Sequence, residues 1–250
     1  MKDFVGVEMQ QEGSTRTALS VMWAPSHLDM ALSLTLVAAF LLGLEHALEP
    51  DHVVAVSTIV TQSEGVAKAL LTGSLWGFGH TMTLLVAGIL AILLKVRFPP
   101  VISLLFELSV GLMLVLLGIW ALRNVKRMKL HFHVHSHNGK THAHLHSHKV
   151  SETHDHAHLP FSVGVFHGLA GSGTLLLLVM STMADVTQGI LFMAAFGGGL
   201  IVAMSIISSA LSLPLVLSGK MSGITRIVSA TGAALLSIAL GIFVVLRVFL

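Results

Sequence analysis

The 250-residue chain contains no cysteine. That excludes a disulfide framework, a thiolate metal site and any thiol-exchange electron carrier, whichever compartment the chain faces. Charge is scarce too: 14 Lys and Arg with 12 Asp and Glu make up 10% of the residues, against 54% hydrophobic ones. An ordinary soluble domain carries about 25% charged residues. At a mean hydropathy of +0.86, the solvent for most of this chain is lipid. No charge falls in 69–94, 159–184, 186–219 or 227–246, and 30–44 and 108–122 are equally clear. The His-Glu-x-x-His string of a zinc protease does not occur, and nothing else supports an enzyme. No module for RNA or DNA is present, and the net charge of +2 says little about nucleic acid because the basic residues flank helix ends. The first 27 residues hold Lys2, Asp3, Glu8, Glu12 and Arg16 without an early apolar run. A cleaved secretory signal is therefore not expected, and insertion should rely on the first true span.

What is abundant is apolar runs of about 20 residues, which cross a bilayer as helices. They predict an all-α integral membrane protein with six transmembrane helices at 29–62 (broken at Pro50), 69–94, 101–123, 160–184, 189–218 and 224–249. Six spans put both termini on one side. Five basic residues fall on that side: Lys2, Arg16, Lys95, Arg97 and Arg247. Nine fall on the other: Lys68, Arg123, Lys126, Arg127, Lys129, Lys140, Lys149, Lys220 and Arg226. By the positive-inside rule the second face is cytoplasmic. The expected location is the inner (plasma) membrane, with the termini outside and the long connection inside.

The chain divides into a polar N-terminal segment (1–28), a first three-helix unit (29–127), a His-rich connection (128–159) and a second three-helix unit (160–250). The two units resemble each other. Gly43-Leu44-Glu45-His46-Ala47-Leu48 lies over Gly164-Val165-Phe166-His167-Gly168-Leu169, 121 residues on. Trp76-Gly77-Phe78-Gly79 lies over Phe196-Gly197-Gly198-Gly199, and Leu117-Gly118-Ile119-Trp120 over Leu240-Gly241-Ile242-Phe243. Each unit has three spans, an odd number, so the second enters the membrane from the opposite side. Inverted repeats with broken helices near the midplane are a secondary-transporter architecture.

Five ionisable groups are written into apolar helix: His46, Asp51, His52, His80 and His167, with Glu45, Glu49 and Glu107 as outriders. An intramembrane ionisable group is costly and marks function by default. On an unbroken helix His46 would be rotated about 120° from His52 and about 140° from Asp51, so they would not share a ligand. Pro50 lacks an N–H and its ring clashes with the carbonyl of His46. The helix should open there, freeing that carbonyl and letting Asp51 and His52 turn toward His46. The plain alternative is a structural knot in which Asp51 and His52 pair or cap a half-helix. Nitrogen and oxygen donors without thiolate suit divalent Ni, Co, Cu or Zn better than Mg or Ca. His80 sits in Gly77-Phe78-Gly79-His80-Thr81, whose glycines let another backbone approach, and could serve only as an interhelical hydrogen-bond partner. His167 opens the small-residue run His167-Gly168-Leu169-Ala170-Gly171-Ser172-Gly173. The repeat places it where His46 stands. The second unit has no counterpart of Asp51-His52 and has Leu200 in place of His80, so the site should be asymmetric.

His46-x4-Asp51-His52, Gly77-Phe78-Gly79-His80-Thr81 and His167 through Gly173 together resemble the nickel/cobalt transporter (NiCoT) superfamily, closest to its shorter, urease-associated branch. The resemblance runs from about residue 40 to 210. It implies transport of Ni(II) or Co(II), with His46, Asp51 and His52 as selectivity ligands and His80 as a further one. The ion would be cargo, so no permanently bound cofactor is expected, and the partners are a divalent metal ion and the lipid bilayer. This chain departs from the longer members in having six predicted spans instead of eight. It also carries a His-rich insert between the third and fourth spans, which occurs among exporters. Uptake is the expected direction, with efflux through the same site as the alternative.

The insert, 131–158, holds 11 of the 16 histidines, many in His-x-His alternation among Ser, Thr, Asn and Lys. Such a tract reads as a disordered metal-binding segment. A rival of another class is a haem-binding b-type electron carrier, with intramembrane histidines as axial ligands. Asp51 beside His52, the proline break and the lack of an obvious facing histidine pair weigh against it.

Overall fold

A computed structural model of the chain describes residues 27–62, 65–94, 100–127, 129–137, 140–148, 158–168, 185–217 and 223–250. Seven helices are present among them: α1 (His27–His46), α2 (Pro50–Val60), α3 (Val66–Leu94), α4 (Pro100–Arg127), α5 (His158–His167), α6 (Val186–Leu217) and α7 (Gly223–Phe249). Four contain segments long and apolar enough to cross a membrane, namely Val66–Leu90, Val101–Lys126, Val186–Pro214 and Arg226–Phe249. Met30–His46 and Pro50–Val60, bent by 60° to each other, make a fifth if they are read as one span. The expected span 160–184 is described only through α5 and Gly168. Its remainder, including Gly171, Ser172 and Gly173, lies outside the described residues, as do residues 1–26.

The outer surface of the helical part is apolar where a soluble domain's is polar. Leu34, Val37, Leu93, Leu94, Leu105, Leu116, Leu236 and Phe243 are each more than half exposed, whereas His46, His52, Thr58, His80, His167, Ser208, Ser212 and Ser237 are buried. So much outward apolar surface exceeds what a monomer in water carries, and in lipid it is the stable arrangement. The chain is a multi-pass membrane protein. Without a hydrophobic force between helices, association relies on close packing and interhelical hydrogen bonds. Ser237 of α7 donates to the Leu114 carbonyl of α4 at 2.8 Å, Thr83 of α3 to Val165 of α5 at 3.1 Å, and Thr58 of α2 to Ala233 of α7 at 3.2 Å.

Glycine sets the closest approaches. α1 packs on α6, α3 on both α5 and α6, and α4 on α7. Gly43 of α1 abuts the Phe196 carbonyl of α6, and Gly199 of α6 abuts the Phe40 carbonyl of α1. In the same reciprocal way Gly79 meets the Phe161 carbonyl and Gly164 the Trp76 carbonyl where α3 crosses α5. A Cβ at any of these four positions would run into backbone, which cannot give way as a side chain can.

The connection between α4 and α5 corrects one expectation. Where the His-rich insert reads as disordered, Lys129–His137 (β1) and Lys140–His148 (β2) pair as an antiparallel ribbon. The physical reason is the alternation itself, since a period of two is the strand period. The dipeptide between the two runs is Asn138-Gly139, the pair most favoured between hairpin strands. The register sets His131 opposite His146, His133 opposite His144 and His135 opposite His142.

Substituting Gly164 with valine should force α3 and α5 apart. Overpacking of this kind costs about 1–3 kcal/mol, so Gly164→Val should melt measurably below the parent protein in detergent. Gly232→Ala, at a position with nothing within 4 Å of an added Cβ, should leave the melting temperature unchanged or slightly raised.

Candidate metal centre

The break between α1 and α2 is built from short-range bonds. The Leu48 N–H donates to the Glu45 carbonyl at 2.9 Å and the Glu49 N–H to the His46 carbonyl at 3.1 Å, closing α1 with tight turns. The expectation of a loose His46 carbonyl is thereby corrected: the chain folds back by one residue and Glu49 supplies the missing donor. Glu49 then stands at the N-cap of α2, its carbonyl accepting from the N–H groups of His52 and Val53, both at 3.1 Å. Proline occupies the first turn of α2, where its missing N–H costs nothing.

That turn brings His46, Asp51 and His52 together, and α3 and α5 add His80 and His167. His46 Nε2 and His80 Nε2 lie 3.2 Å apart. On the other side of the cluster Asp51 Oδ1 accepts from His52 Nδ1 at 2.9 Å, and Asp51 Oδ2 from His167 Nε2 at 3.0 Å. The His52 ring links the two groups, its centroid 4.4 Å from those of both His46 and His167. His52, His80 and His167 are at most 1% exposed. Two sets of three residues place ligand atoms within 4.8 Å of one another: His46, His52 and His80, and Asp51, His52 and His167. All five residues singled out in the sequence therefore meet in one place.

The outriders divide. Glu49 is part of the cluster, since its Oε1 accepts from His46 Nδ1 at 3.0 Å. A carboxylate on the far nitrogen of an imidazole fixes ring orientation and tautomer and raises the basicity of the other nitrogen. Glu45 is exposed and Glu107 half-buried, and neither belongs to either triad.

Two aromatic side chains complete the centre. Trp76 stacks on His80 with centroids 5.1 Å apart and meets the edges of His52 and His167 at 4.8 and 5.3 Å. Phe196 lies 5.4 Å from His46. Both are buried, so the imidazoles are walled by apolar rings on two sides. Reading for ionisable residues alone passes over them. The signal that would have found them is the repeat, in which Trp76 and Phe196 occupy matching positions.

Three ring nitrogens of the cluster, His52 Nε2, His80 Nδ1 and His167 Nδ1, are buried without a hydrogen-bond partner among the described residues. Buried polar atoms normally have one; of these three, His52 Nε2 belongs to a ring that lies between His46 and His167, where an ion would engage it. The spacing also fits. Two nitrogens each about 2.0–2.1 Å from one metal ion stand about 3 Å apart at a right angle and slightly further in a tetrahedron. His46 and His80 are already at that separation.

A relative of matching extent then decides the family. The chain is 37% identical over 192 residues to a urease accessory protein, UreH, of Bacillus sp. (strain TB-90), covering 77% of this chain and 81% of that protein. The chain belongs to the nickel/cobalt transporter superfamily, in its UreH-like branch. A further member, a putative nickel/cobalt efflux system (MJ1092) of Methanocaldococcus jannaschii, is 36% identical over 92 residues, or 35% of this chain and 42% of that protein. No family model and no solved structure matches the chain.

Replacing Asp51 tests the cluster as a structure, before any ion is considered. Asp51→Ala leaves two imidazole N–H groups buried and unpaired, at about 1–3 kcal/mol each. Asp51→Asn keeps one acceptor oxygen. Melting of the metal-free protein in detergent should therefore fall clearly for Asp51→Ala and by less for Asp51→Asn.

Proposed function

We propose that this protein carries Ni(II) or Co(II) across the inner (plasma) membrane through the cluster of His46, Asp51, His52, His80 and His167. The observation that carries the reading is the meeting of four buried imidazoles and a half-buried carboxylate from α1, α2, α3 and α5 at one centre, in a chain of this family. Imidazole and carboxylate without thiolate suit borderline divalent ions. The ion is cargo, and the protein is a transport protein and no enzyme, in keeping with the names of both relatives. A haem between facing histidines finds no support, because His46 and His80 are in hydrogen-bond contact and a macrocycle would have to pass between them.

The scaffold that carries the ion is, in this reading, a pair of inverted three-helix repeats, 29–127 and 160–250, joined by 128–159. Its support is the way glycine contacts exchange under the repeat. Moving Gly43 forward by 121 and Gly199 back by 120 turns the contact between α1 and α6 into Gly164 and Gly79, the contact between α5 and α3. The same operation, at 120 both ways, turns Gly77 against Ile201 into Gly197 against Thr81. At 123 it turns Gly111 against Gly241 into Ala234 against Gly118. We read Pro50 as the cause of the break in the first span, and the basic residues as placing the termini outside and the His-rich hairpin in the cytoplasm.

Direction is read as uptake, because the relative that matches most of the chain is named for urease. Efflux through the same site is the second reading, favoured by the name of the other relative.

In cells lacking their own nickel and cobalt transporters, the unaltered chain should raise cellular metal content. His46→Ala, Asp51→Asn, His52→Ala and His80→Ala should each reduce that gain to background at normal membrane levels. Asp51→Asn keeps shape but removes the charge that offsets a dication in low dielectric, so full transport by a well-inserted Asp51→Asn protein would falsify the assignment.

Deleting 131–158 separates the two directions. A cytoplasmic hairpin meets incoming ions only after the membrane site, so an importer should keep its half-saturating external concentration. An exporter would lose the local enrichment of ions at its entrance and need more cytoplasmic metal. Flux measured against concentration in both directions decides: outward flux with a hairpin-dependent half-saturation would sink the uptake reading.

A further inference from the structure

The five cluster residues do not surround a single point. They form two triads that share His52: His46, His52 and His80 on one side, and Asp51, His52 and His167 on the other. We propose that the cluster offers a divalent ion two successive positions, with the imidazole of His52 passing it from one to the other. The proposal rests on the transport reading above and deepens it.

The two nitrogens of His52 stand in different settings. Nδ1 faces Asp51 at 2.9 Å, on the side of the second triad. Nε2 is buried with no hydrogen-bond partner, and the ring that carries it lies between the two sides, its centroid 4.4 Å from both His46 and His167 and 5.2 Å from His80. A neutral imidazole has one lone pair and one N–H. His52 can therefore give its lone pair to the first position through Nε2 or to the second through Nδ1, never to both at once. Coulomb repulsion between two dications on either side of one ring, among imidazoles that are buried, reinforces the exclusion.

Each position has a pair of ligand atoms already at ligand spacing. In the first, His46 Nε2 and His80 Nε2 are 3.2 Å apart, with Glu49 behind His46 to hold its ring. In the second, Asp51 Oδ2 and His167 Nε2 are 3.0 Å apart. The outer histidines, His46 and His167, are the two that the repeat superposes, so one stands at each end of the pair of positions. The first position is all imidazole, whereas the second holds the carboxylate. An ion moving from one to the other exchanges two imidazoles for one imidazole and a negative charge; it leaves Nε2 of His52 for Nδ1 of the same ring, and the ring proton changes places in the opposite direction, from Nδ1 to Nε2, so the ring stays neutral.

The test uses the full-length chain in detergent, with the histidines of 131–158 replaced by serine so that the ions counted belong to the membrane cluster. Co(II) is the probe, with binding followed by equilibrium dialysis and ligands counted by X-ray absorption. One ion per chain is expected. His80→Ala removes a ligand of the first position only, and His167→Ala one of the second only. Each should still bind one ion, while His52→Ala, which damages both, should weaken binding about a hundredfold more than either, that is by two decades of dissociation constant. His167→Ala should show three imidazoles on the ion, and His80→Ala two imidazoles with a carboxylate. Net transport should be lost in both, because each leaves one position without its successor. Equal loss of binding in all three variants, or two ions bound at once, would overturn the two-position arrangement while leaving a single transport site standing. Absence of binding by the parent chain would remove the transport reading and this one together. If His52→Ala does not elute as a folded species, the imidazole counts of the other two variants decide alone: the same count in both would overturn the proposal.

Discussion

One carboxylate holds the centre of this molecule together. Asp51 accepts from His52 on its own helix through one oxygen and from His167, on a helix more than a hundred residues later, through the other. An ionised carboxylate only accepts, and both of its partners here are donors, so the arrangement is satisfied without water. Everything around it follows from keeping such a group away from lipid. The helices that carry the five polar residues must face one another, their contacts must be close enough to exclude solvent, and their outer faces must be aliphatic. Glycine at the crossings meets the second demand and the exposed leucines and valines meet the third.

Much of this was legible in the sequence because lipid simplifies the code. Runs without charge can only be spans, and an ionisable residue inside one must turn inward, so His46, Asp51, His52, His80 and His167 could be named together before their distances were known. The repeat added the one long-range inference, that His167 would join His46 at the centre. Sequence reasoning failed where a local bond replaced the one that proline removes. Pro50 was expected to leave the His46 carbonyl open, yet the Glu49 N–H reaches it, because a turn can satisfy a carbonyl from three residues away as well as from four. Glu49 itself was undervalued for the same reason. On a straight helix it is one more acidic residue, and only the turn points its carboxylate at the His46 ring.

The His-rich connection shows a different kind of miss. Composition suggested a tract without structure, while the pattern within it carried a strand period and a turn dipeptide. Histidine is an unusual residue to alternate, and attention to its metal chemistry hid its spacing. The paired register sets three histidine positions directly opposite three others across the two strands. Trp76 and Phe196 carry no ionisable group to mark them in the sequence, yet both bound the cluster.

The placement of Trp76 has a consequence for how the protein sits in its bilayer. Tryptophan and tyrosine at the two interfaces normally fix the depth and tilt of membrane helices. This chain has no tyrosine and three tryptophans; Trp76 is spent at the buried centre and Trp120 is half-buried on α4. Over the described helices, vertical position is left to the height of the aliphatic belt and the basic residues at its ends. A belt with few aromatic anchors follows the thickness of the surrounding hydrocarbon through tilt. The tilt of the bundle as a whole is thereby left to the length of the host membrane's lipid chains, while the glycine crossings hold the angles between helices, and with them the spacing of the histidines.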